Sequence, residues 1–491
     1  MIIEKAIILA GGKGSRTKTR IYDNSVTKVM LRINNKPILQ RNIEIIRDSL
    51  KINSIILVVG NNYSQIQKFF GDGKSFGINI EYIKSDPSYG IADALYLCKE
   101  KVMGTFLLML GDEFYLNSDH HTLLEQDYSN SDVIITFMNT ENPHDITNNY
   151  SIQLKNGNKV VKLTEKPKML ENDLLGLGTF ILQNSIFDYI KKTEKNINTN
   201  RKELIDVISN VAKERTVHAH KLNGIYVNIN TVDDWNHAKY LFNQSNFDSY
   251  KKSLVIPSYN EVESIAFVIN DFKDMVNEII IADGGSTDGT IEKVLSLKNN
   301  YNINLIQGNF SGYGDAIRNA MEKVCGDIII LVEGDATFRS RDIYKMYEYI
   351  KDCDMVVGTR TTRELISQGA NMSSGLRIAN LLVAKFIELL WIKIEPRITD
   401  VGCTYRAFWK MEYDEIKHNF IGLGPEFSPE MIIEFLRNGK RVIEIPVSYY
   451  NRIGGASKHS ENFLAIMRTG LSMLLIILKK RFSKPKNRYD L

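Results

Sequence analysis

The stretch ILAGGKGSR, residues 8–16, ends an apolar run near the start of the chain and places three glycines within four positions. Glycine loses more backbone entropy on folding than other residues, so such a cluster needs a compensating role. A loop whose bare N–H groups approach a polyphosphate would use all three glycines, and Lys13 and Arg16 would add positive charge. An ordinary strand-to-helix turn explains the same letters. The stretch therefore predicts a buried first strand and leaves two interpretations of the loop after it.

The alternation of strand and helix patterns predicts the fold class and the domains. Apolar strand-like runs alternate with helical patterns, which predicts an α/β fold with mostly parallel sheets. The pattern lapses into small polar residues at 243–252, and a new first strand begins at SLVIPSYNE, residues 253–261. A chain of 491 residues is also too long for one ordinary core. The sequence therefore predicts two Rossmann-like nucleotide-binding domains flanked by helices and then a helical, basic tail, with bounds 1–246, 252–460 and 461–491.

Composition and charge exclude some classes of function. Hydrophobic residues make up 43% of the chain and charged residues 24%, as in ordinary globular proteins. A net charge of +4 is too small for this length to indicate a nucleic-acid partner. The four cysteines form no CxxC pair, which favours reduced cytosolic thiols over a zinc site. The histidine pairs 120–121 and 218/220 are expected on the solvated surface.

The same features predict the location of the protein. The N-terminus does not resemble a signal peptide, and no apolar run approaches the roughly 20 residues that a membrane span needs. We therefore expect a cytoplasmic protein. The amphipathic stretch 463–482 and the basic tail after it could lie on the anionic inner face of the cytoplasmic membrane, or the stretch could be an ordinary packed helix.

Acidic residues end several of the predicted strands. Asp112, Asp283 and Asp335 each follow an apolar run, where a charge is a poor choice for stability alone. In open α/β sheets the ligand site lies beyond the carboxyl ends of the strands. The pattern therefore indicates metal or ribose ligands in both halves.

The first half carries an ordered series of motifs across residues 1–245. AIILAGGKGSR is followed by TKVML, DPSYGIADAL, LLMLGDEF, LTEKP and YVNINTVDDW. This series resembles the sugar-1-phosphate nucleotidylyltransferases, which implies that an NTP and a sugar 1-phosphate give a nucleotide sugar and pyrophosphate with Mg²⁺. The resemblance implies four groups of site residues. The triphosphate is held by Gly11, Gly12, Gly14, Arg16 and Lys28, and the base by Asp86 and Gly90. The sugar phosphate is held by Glu165 and Lys166, and the metal by Asp112 and Asn228.

Asn228 is a departure from this family, which has aspartate at the later metal position. A neutral amide is a weaker ligand for Mg²⁺ than a carboxylate. Asp112 and the phosphates could hold the metal with Asn228 in support, or Asp233 or Asp234 could substitute. Alternatively, the first activity could be reduced, or the domain could be an inactive nucleotide-binding module. A cytidylyltransferase acting on a phospho-alcohol or phosphonate is a further alternative.

The second half carries a different series of motifs across residues 252–460. LVIPSYNEVESI, IIIADGGSTDGT, VEGDATF, ITDVGCTYRAF and EIPVSYYNRIGGASKHS follow in order. They resemble the inverting GT-A glycosyltransferases of the family that includes dolichyl-phosphate mannose synthase, which implies sugar transfer from a nucleotide sugar with Mg²⁺ or Mn²⁺. The implied site residues are Pro257, Tyr259, Glu261 and Asp283 at the base and ribose, Glu333 and Asp335 at the metal, Arg360, Arg377 and Arg406 at the acceptor phosphate, and Arg452 and Lys458 over the diphosphate.

The acceptor determines whether the second site needs a base. A hydroxyl acceptor needs a carboxylate within hydrogen-bond reach, for which Asp400 and Glu430 are the candidates. A phosphate acceptor is already ionised and needs cations. The cations and amphipathic stretches favour a polyprenyl phosphate at a membrane surface, with a soluble hydroxyl acceptor as the alternative. In that interpretation Leu471 and its apolar neighbours enter the lipid, and residues 479–481 face lipid phosphates.

Overall fold

The structure is a computed structural model that describes most of the chain. It describes residues 3–12, 27–60, 63–86, 88–197, 199–298, 301–370, 374–394, 396–454 and 463–485. The chain divides into two compact units, Met1–Phe242 and Asn243–Leu491.

A nine-stranded sheet forms the centre of the first unit, in the order β5-β4-β1-β6-β11-β8-β12-β10-β9. The four strands from β5 to β6 are parallel, and β11 runs antiparallel to both of its neighbours, β6 and β8. Strands β7 and β13 form a separate antiparallel ribbon. The strands are β1 Lys5–Ala10, β2 Arg32–Ile33, β3 Lys36–Pro37, β4 Ser54–Val59, β5 Asn79–Lys84, β6 Thr105–Leu110, β7 Glu113–Leu116, β8 Val133–Asn139, β9 Tyr150–Lys155, β10 Lys159–Glu165, β11 Leu174–Gln183, β12 Val217–Lys221 and β13 Ile225–Asn228. The helices are α1 Ile38–Glu44, α2 Tyr63–Phe70, α3 Ile91–Tyr96, α4 Pro143–Asn148, α5 Ile186–Lys192, α6 Leu204–Glu214 and α7 Val232–Asn246.

A seven-stranded sheet forms the centre of the second unit, in the order β16-β15-β14-β17-β19-β18-β20. The strands from β16 to β17 are parallel, and β19 is antiparallel to both of its neighbours. The strands are β14 Lys252–Ser258, β15 Glu278–Asp283, β16 Ile303–Gln307, β17 Ile328–Leu331, β18 Met355–Thr359, β19 Arg406–Trp409 and β20 Val442–Pro446. The helices are α8 Ile265–Phe272, α9 Thr290–Lys298, α10 Tyr313–Met321, α11 Ile343–Ile350, α12 Ser374–Leu390, α13 Lys410–Ile416, α14 Phe427–Arg437 and α15 Phe463–Phe482.

The central strands are buried on both faces. Ala6, Ile7 and Ile8 of β1 are fully buried, and so are Leu254, Val255 and Ile256 of β14. Covered parallel strands read as continuous apolar runs because helices pack on both faces of the sheet. The predicted fold, two sheets with parallel central strands and flanking helices, is confirmed.

The last described helix, α15, packs on the second unit. Ile477 is fully buried and Ile476 nearly so in the core that α14 lines, and α15 also contacts α12. In the part of the chain that the structure describes, no helix is long and apolar enough to cross a membrane.

The predicted surface position of the histidine pairs is wrong for two of the four residues. His120 is fully buried and His220 is nearly so. His120 hydrogen-bonds Ser118 Oγ at 2.9 Å, and His220 hydrogen-bonds Tyr128 Oη at 2.7 Å. Burial lowers the pKa of His120 to about 4, so the ring is neutral near pH 7. These imidazoles are satisfied core groups.

Candidate active sites

Lys28 and Asp112 form the centre of the first candidate site. Asp112 lies two residues beyond the carboxyl end of β6, and Lys28 begins a short helical turn, Lys28–Met30. Lys28 Nζ lies 2.5 Å from Asp112 Oδ2 and donates to Asn230 Oδ1 at 3.1 Å. The lysine side chain is 10% exposed and the aspartate side chain 32%. The pair therefore places a fixed cation beside an accessible carboxylate.

Asn228 adds a second oxygen to this site. The β7–β13 ribbon pairs Asn228 with Glu113, and Ile229 N donates to the Asp112 carbonyl at 3.2 Å. Asn228 Nδ2 donates to Asn149 Oδ1 at 2.5 Å, whereas its buried Oδ1 has no hydrogen-bond partner among the described residues. Mg²⁺ takes one or two protein oxygens and completes its shell with water and substrate phosphates. The oxygens present fit that metal.

The described residues contain no group of three His, Cys, Asp or Glu side chains that could hold a metal ion. Asp234, one of the two alternatives to Asn228, accepts hydrogen bonds from the backbone N–H groups of Asn230 and Thr231 at 2.9 and 2.7 Å. It therefore caps the start of α7. A metal at this site would depend on Asp112, Asn228 and the nucleotide's phosphates.

Glu165 and Lys166 reach the same site through Asn149. They stand at the carboxyl end of β10, and Lys166 N donates to the Asn149 carbonyl at 2.7 Å. Burial raises the pKa of Glu165 to about 7, with Glu203 and Asp206 adding to the rise and Lys166 opposing it. The Lys166 side chain is 58% exposed. In this arrangement the Glu165 carboxyl group can hydrogen-bond a sugar hydroxyl, and the Lys166 ammonium can bind the sugar's phosphate.

The glycines in and near the predicted nucleotide pocket differ in how much space surrounds their Cα atoms. A Cβ on Gly60 would lie 2.8 Å from the Gly11 carbonyl, so the ends of β1 and β4 pass very close together. A Cβ on Gly12 would meet open space among the described residues, and a Cβ on Gly90 would lie 2.4 Å from the Lys202 carbonyl. Exposed Asp86 accepts from Ser88 N and Oγ and shapes its own turn. Gly14 and Arg16 lie outside the described residues.

Sequence reasoning missed two asparagines at this site. Asn230 holds Lys28, and Asn149 joins Asn228 to Lys166. The only signal for Asn230 is its place two residues after Asn228 in the segment NINT, and no predicted residue flanks Asn149 in NNY. Amide side chains in loops are too common for that signal to single them out.

Glu333 and Asp335 lie on the turn after β17 and form the acidic part of the second candidate site. Asp335 Oδ1 accepts from Thr337 N at 3.0 Å and from Thr337 Oγ1 at 2.7 Å. Burial raises the pKa of Glu333 to about 8, the Asp335 carboxylate adds to the rise, and Arg360 opposes it. Carboxylate oxygens are the ligands that Mg²⁺ and Mn²⁺ prefer in proteins. The pair therefore fits the expected Mg²⁺ or Mn²⁺.

Arg452 lies on the loop after β20 and contacts this acidic turn. Its guanidinium forms an ion pair with Glu261, and its Nη1 lies 3.6 Å from Asp335 Oδ2. Ile453 N also donates to the Asp335 carbonyl at 3.1 Å. Burial raises the pKa of Glu261 to about 7, and Arg452 opposes this rise. The structure thus brings Glu261, Asp335 and Arg452 together, while Lys458 lies outside the described residues.

Arg360 and Asp400 form a buried, bidentate pair. Arg360 Nε lies 2.8 Å from Asp400 Oδ2, its Nη2 lies 2.9 Å from Oδ1, and its backbone N–H also donates to Oδ2 at 3.0 Å. Although burial opposes ionisation of Asp400, the guanidinium lowers its pKa. A carboxylate with a lowered pKa and both oxygens engaged is a poor proton acceptor. The prediction that Asp400 serves as a base is therefore corrected, because it orients Arg360.

Arg406 and Glu430, both predicted to bind substrate, are structural. Arg406 is 1% exposed and donates to the carbonyls of Val401, Cys403 and Ser428. Glu430 is fully buried, and its carboxylate accepts hydrogen bonds inside the unit. Strong local hydrogen bonding explains both corrections, since a buried charge must find partners.

Asp283, predicted to read the base or ribose, is hydrogen-bonded within the loop after β15. It is fully buried at the end of β15, and its oxygens accept from Gly285 N, Ser286 N and Ser286 Oγ at 3.0, 2.7 and 2.6 Å. Its side chain shapes this loop, and its contact with a base or ribose stays a prediction. Pro257 and Tyr259 lie in the neighbouring strand end, where Tyr259 is 40% exposed.

The amphipathic stretches expose apolar faces. On α15 the exposed side chains are Met467, Leu471, Leu474, Leu475, Leu478 and Phe482, and on α12 they are Ile378, Leu381, Leu382 and Leu389. Half-buried Arg377 lies on α12, three residues before Asn380. Asn380 Oδ1 and Arg360 Nη2 both lie next to Gly402. The predicted lipid-facing position of Lys480 is wrong, because Lys480 is 4% exposed and forms ion pairs with Glu430 and Glu434.

Each unit thus gathers charged side chains near the carboxyl ends of its central strands, where open α/β sheets bind their ligands. Residues 5–244 match the family described as Nucleotidyl transferase, and residues 253–413 match Glycosyl transferase family 2. The chain is therefore a fusion of a nucleotidyl transferase domain and a family 2 glycosyl transferase domain.

Known proteins resemble each half separately. The second half is similar to "Glycosyltransferase AglJ" of Haloferax volcanii, at 29% identity over 206 residues, which covers 41% of this chain and 64% of that protein. The first half is similar to "Bifunctional protein GlmU" of Methanococcus aeolicus, at 31% identity over 224 residues, which covers 46% of this chain and 51% of that protein. A solved UDP-glucose pyrophosphorylase with UDP-glucose is 19% identical, with a TM-score of 0.44, over 50% of this chain and 100% of that one. The chain thus spans between half and two thirds of the length of these curated relatives.

Proposed function

We propose that the chain catalyses two consecutive reactions. The first domain forms a nucleotide sugar and pyrophosphate from an NTP and a sugar 1-phosphate. The second domain transfers that sugar, with inversion, to a polyprenyl phosphate at a membrane surface. Fusion of the two domains would keep the intermediate concentrated near its consumer.

The first reaction needs alignment and charge neutralisation. The phosphate of a sugar 1-phosphate is already an anion and attacks the α-phosphorus of the NTP, so a general base is unnecessary. Lys28, held between Asp112 and Asn230, supplies a fixed cation for the charge that develops there. Glu165 and Lys166 would hold the sugar hydroxyls and the phosphate of the second substrate.

Divalent metals have a place in both sites. Asp112 with Asn228 in the first domain, and Asp335 with Glu333 in the second, would hold Mg²⁺ or Mn²⁺. A bound ion would neutralise phosphate charge in each site. Arg452 would act beside it, because its loop contacts Asp335 and can cover the diphosphate.

One observation supports a phosphate acceptor: both candidate bases, Asp400 and Glu430, are already engaged by neighbouring groups of the protein. Asp400 binds Arg360 through both oxygens, and Glu430 is buried against backbone N–H groups and Lys480. A hydroxyl acceptor would need a free carboxylate, whereas a phosphate acceptor needs cations such as Arg360 and Arg377. The pairing of Arg360 with Asp400 fixes the guanidinium for that purpose.

The exposed faces of α12 and α15 support a membrane location for the second reaction. The two helices contact each other and expose leucines and isoleucines on the same unit. Lys479 and Arg481 remain exposed at the end of α15 and can approach anionic lipid headgroups. An apolar face with basic flanks is typical of an interfacial helix.

The test supplies the full chain with each NTP, a panel of sugar 1-phosphates and Mg²⁺, and measures pyrophosphate. The product is then offered to a polyprenyl phosphate and, separately, to an alkyl alcohol. We expect pyrophosphate release with a sugar 1-phosphate. The sugar should then be transferred to the polyprenyl phosphate and not to the alcohol. Activity with phospho-alcohols and CTP alone would contradict the first assignment, and transfer to the alcohol would contradict the second.

A further inference from the structure

The C-terminal helix carries a lysine in the interior of the second unit. Lys480 Nζ lies 2.7 Å from Glu430 Oε1 and 2.9 Å from Glu434 Oε1, and it donates to the Asn419 carbonyl at 2.5 Å. Both glutamates are fully buried, whereas the adjacent Lys479 is exposed. A buried ionic cluster of this kind seldom adds stability over apolar packing, because desolvation offsets the attraction. The cluster is therefore better explained by a role other than stability.

The cluster holds one particular loop, residues 419–424. Glu430 accepts hydrogen bonds from Ile421 N at 2.8 Å and from Gly422 N at 2.7 Å, while Lys480 binds the carbonyl of Asn419. The loop contains two glycines and has little intrinsic rigidity. Its conformation therefore depends on the ionic cluster.

Loop 419–424 packs against the start of α10, which borders the transfer site. The Leu423 carbonyl accepts from Asp315 N at 3.0 Å, and a Cβ on Gly312 would lie 2.8 Å from the same oxygen. Helix α10 follows the parallel strand β16 and packs against β14 and β15, so its first residue, Tyr313, lies at the carboxyl edge of these strands. The acidic turn after β17 lies at the same edge of the sheet, because β17 is parallel to β14.

The loop also exposes two apolar side chains. Ile421 and Leu423 are each 42% exposed, although neighbouring Phe420 is buried. Exposed apolar side chains next to a polar transfer site suit an acceptor whose phosphate is polar and whose tail is apolar.

We propose that Lys480 is a positioning residue for the acceptor. Through Glu430 it holds loop 419–424 so that Ile421 and Leu423 receive the first part of the acceptor's prenyl chain. The inference rests on the proposed polyprenyl phosphate acceptor. It makes α15 a working part of the transferase domain, since the same helix exposes its apolar face and fixes the loop.

The test compares Lys480→Met and Lys480→Arg with the control Lys323→Met, whose side chain is exposed just after α10, all in the full chain. Hydrogen exchange at Ile421 and Gly422 should accelerate at least tenfold in Lys480→Met, while exchange in β14 stays unchanged. With geranylgeranyl phosphate as the acceptor, its KM should rise at least tenfold and the KM of the nucleotide sugar should not change. Lys480→Arg should restore part of both effects, and the control should match the wild type.

Three results would overturn the inference. An unchanged acceptor KM in folded Lys480→Met would do so while leaving the proposed function intact. Equal acceleration of exchange in β14 would reveal a purely structural role. A wild-type chain that ignores prenyl phosphates would overturn the inference and the proposed acceptor together. Should Lys480→Met fail to fold, Leu423→Ser alters only an exposed side chain and must raise the same acceptor KM.

Discussion

Replacement of Lys28 by methionine should strongly slow the first reaction and spare the second. Lys28 is 10% exposed, and its Nζ is fixed by Asp112 at 2.5 Å and by Asn230 at 3.1 Å. A unit charge about 4 Å from a phosphate in a partly buried site interacts by roughly 4 kcal/mol. Loss of one preorganised group of this kind lowers kcat by about 10²–10³-fold. We expect a loss of that size in pyrophosphate release.

The assay follows pyrophosphate from NTP and sugar 1-phosphate, and separately follows transfer from a supplied nucleotide sugar. Lys36→Met is the matched control, because Lys36 is 47% exposed and pairs with Glu44 on the surface. Transfer should be unchanged in both variants. A loss of pyrophosphate release below about tenfold would refute the role of Lys28. Loss of both reactions in a folded Lys28→Met chain would refute the separation of the two sites.

Three other perturbations test other parts of the account. Asp335→Ala should remove transfer and spare pyrophosphate release, and retained metal-dependent transfer in this variant would move the metal to another site. Leu471→Ser with Leu475→Ser should weaken binding to anionic liposomes without altering pyrophosphate release. Binding of the wild type should fall as salt rises, because surface charges are screened over about 8 Å at physiological ionic strength. A wild type that does not bind such liposomes at low salt would contradict the membrane assignment. Because burial holds the pKa of His120 near 4, the unfolded state binds the extra proton, so the first unit should lose up to about 3 kcal/mol of stability between pH 6.5 and pH 4. Hydrogen exchange of β11 amides at pH 7 and pH 5 measures this loss, which should be smaller in His120→Gln.

The sequence predicted the strands well, because apolar periodicity is a local signal. The roles of the acidic residues near the strand ends stay predictions. Lys28 and Asp112 were predicted separately, and the structure places them in contact. The placement of Arg452 beside Asp335 likewise connects two predicted residues that are far apart in the chain.

Sequence patterns do not show which group of the folded protein pairs with each charged side chain. Asp400, Glu430 and Arg406 have residue types that suit a transfer site, but each is engaged by buried neighbours. Lys480 differs from Lys479 only in the direction it takes from the helix, and that direction depends on the packing of α15 against α14. Such differences arise from tertiary contacts, which a single sequence does not encode in any local pattern.

The central claim is that one chain links the two reactions. Full-length protein is given NTP, Mg²⁺, radiolabelled sugar 1-phosphate and polyprenyl phosphate in liposomes, and the label is followed into the lipid fraction. We predict NTP-dependent label in lipid that is lost in Lys28→Met and in Asp335→Ala, and that returns when the two variants are mixed. Label that stays in the aqueous phase while pyrophosphate is released would contradict the lipid acceptor, and label in lipid without NTP would contradict the order of the two reactions.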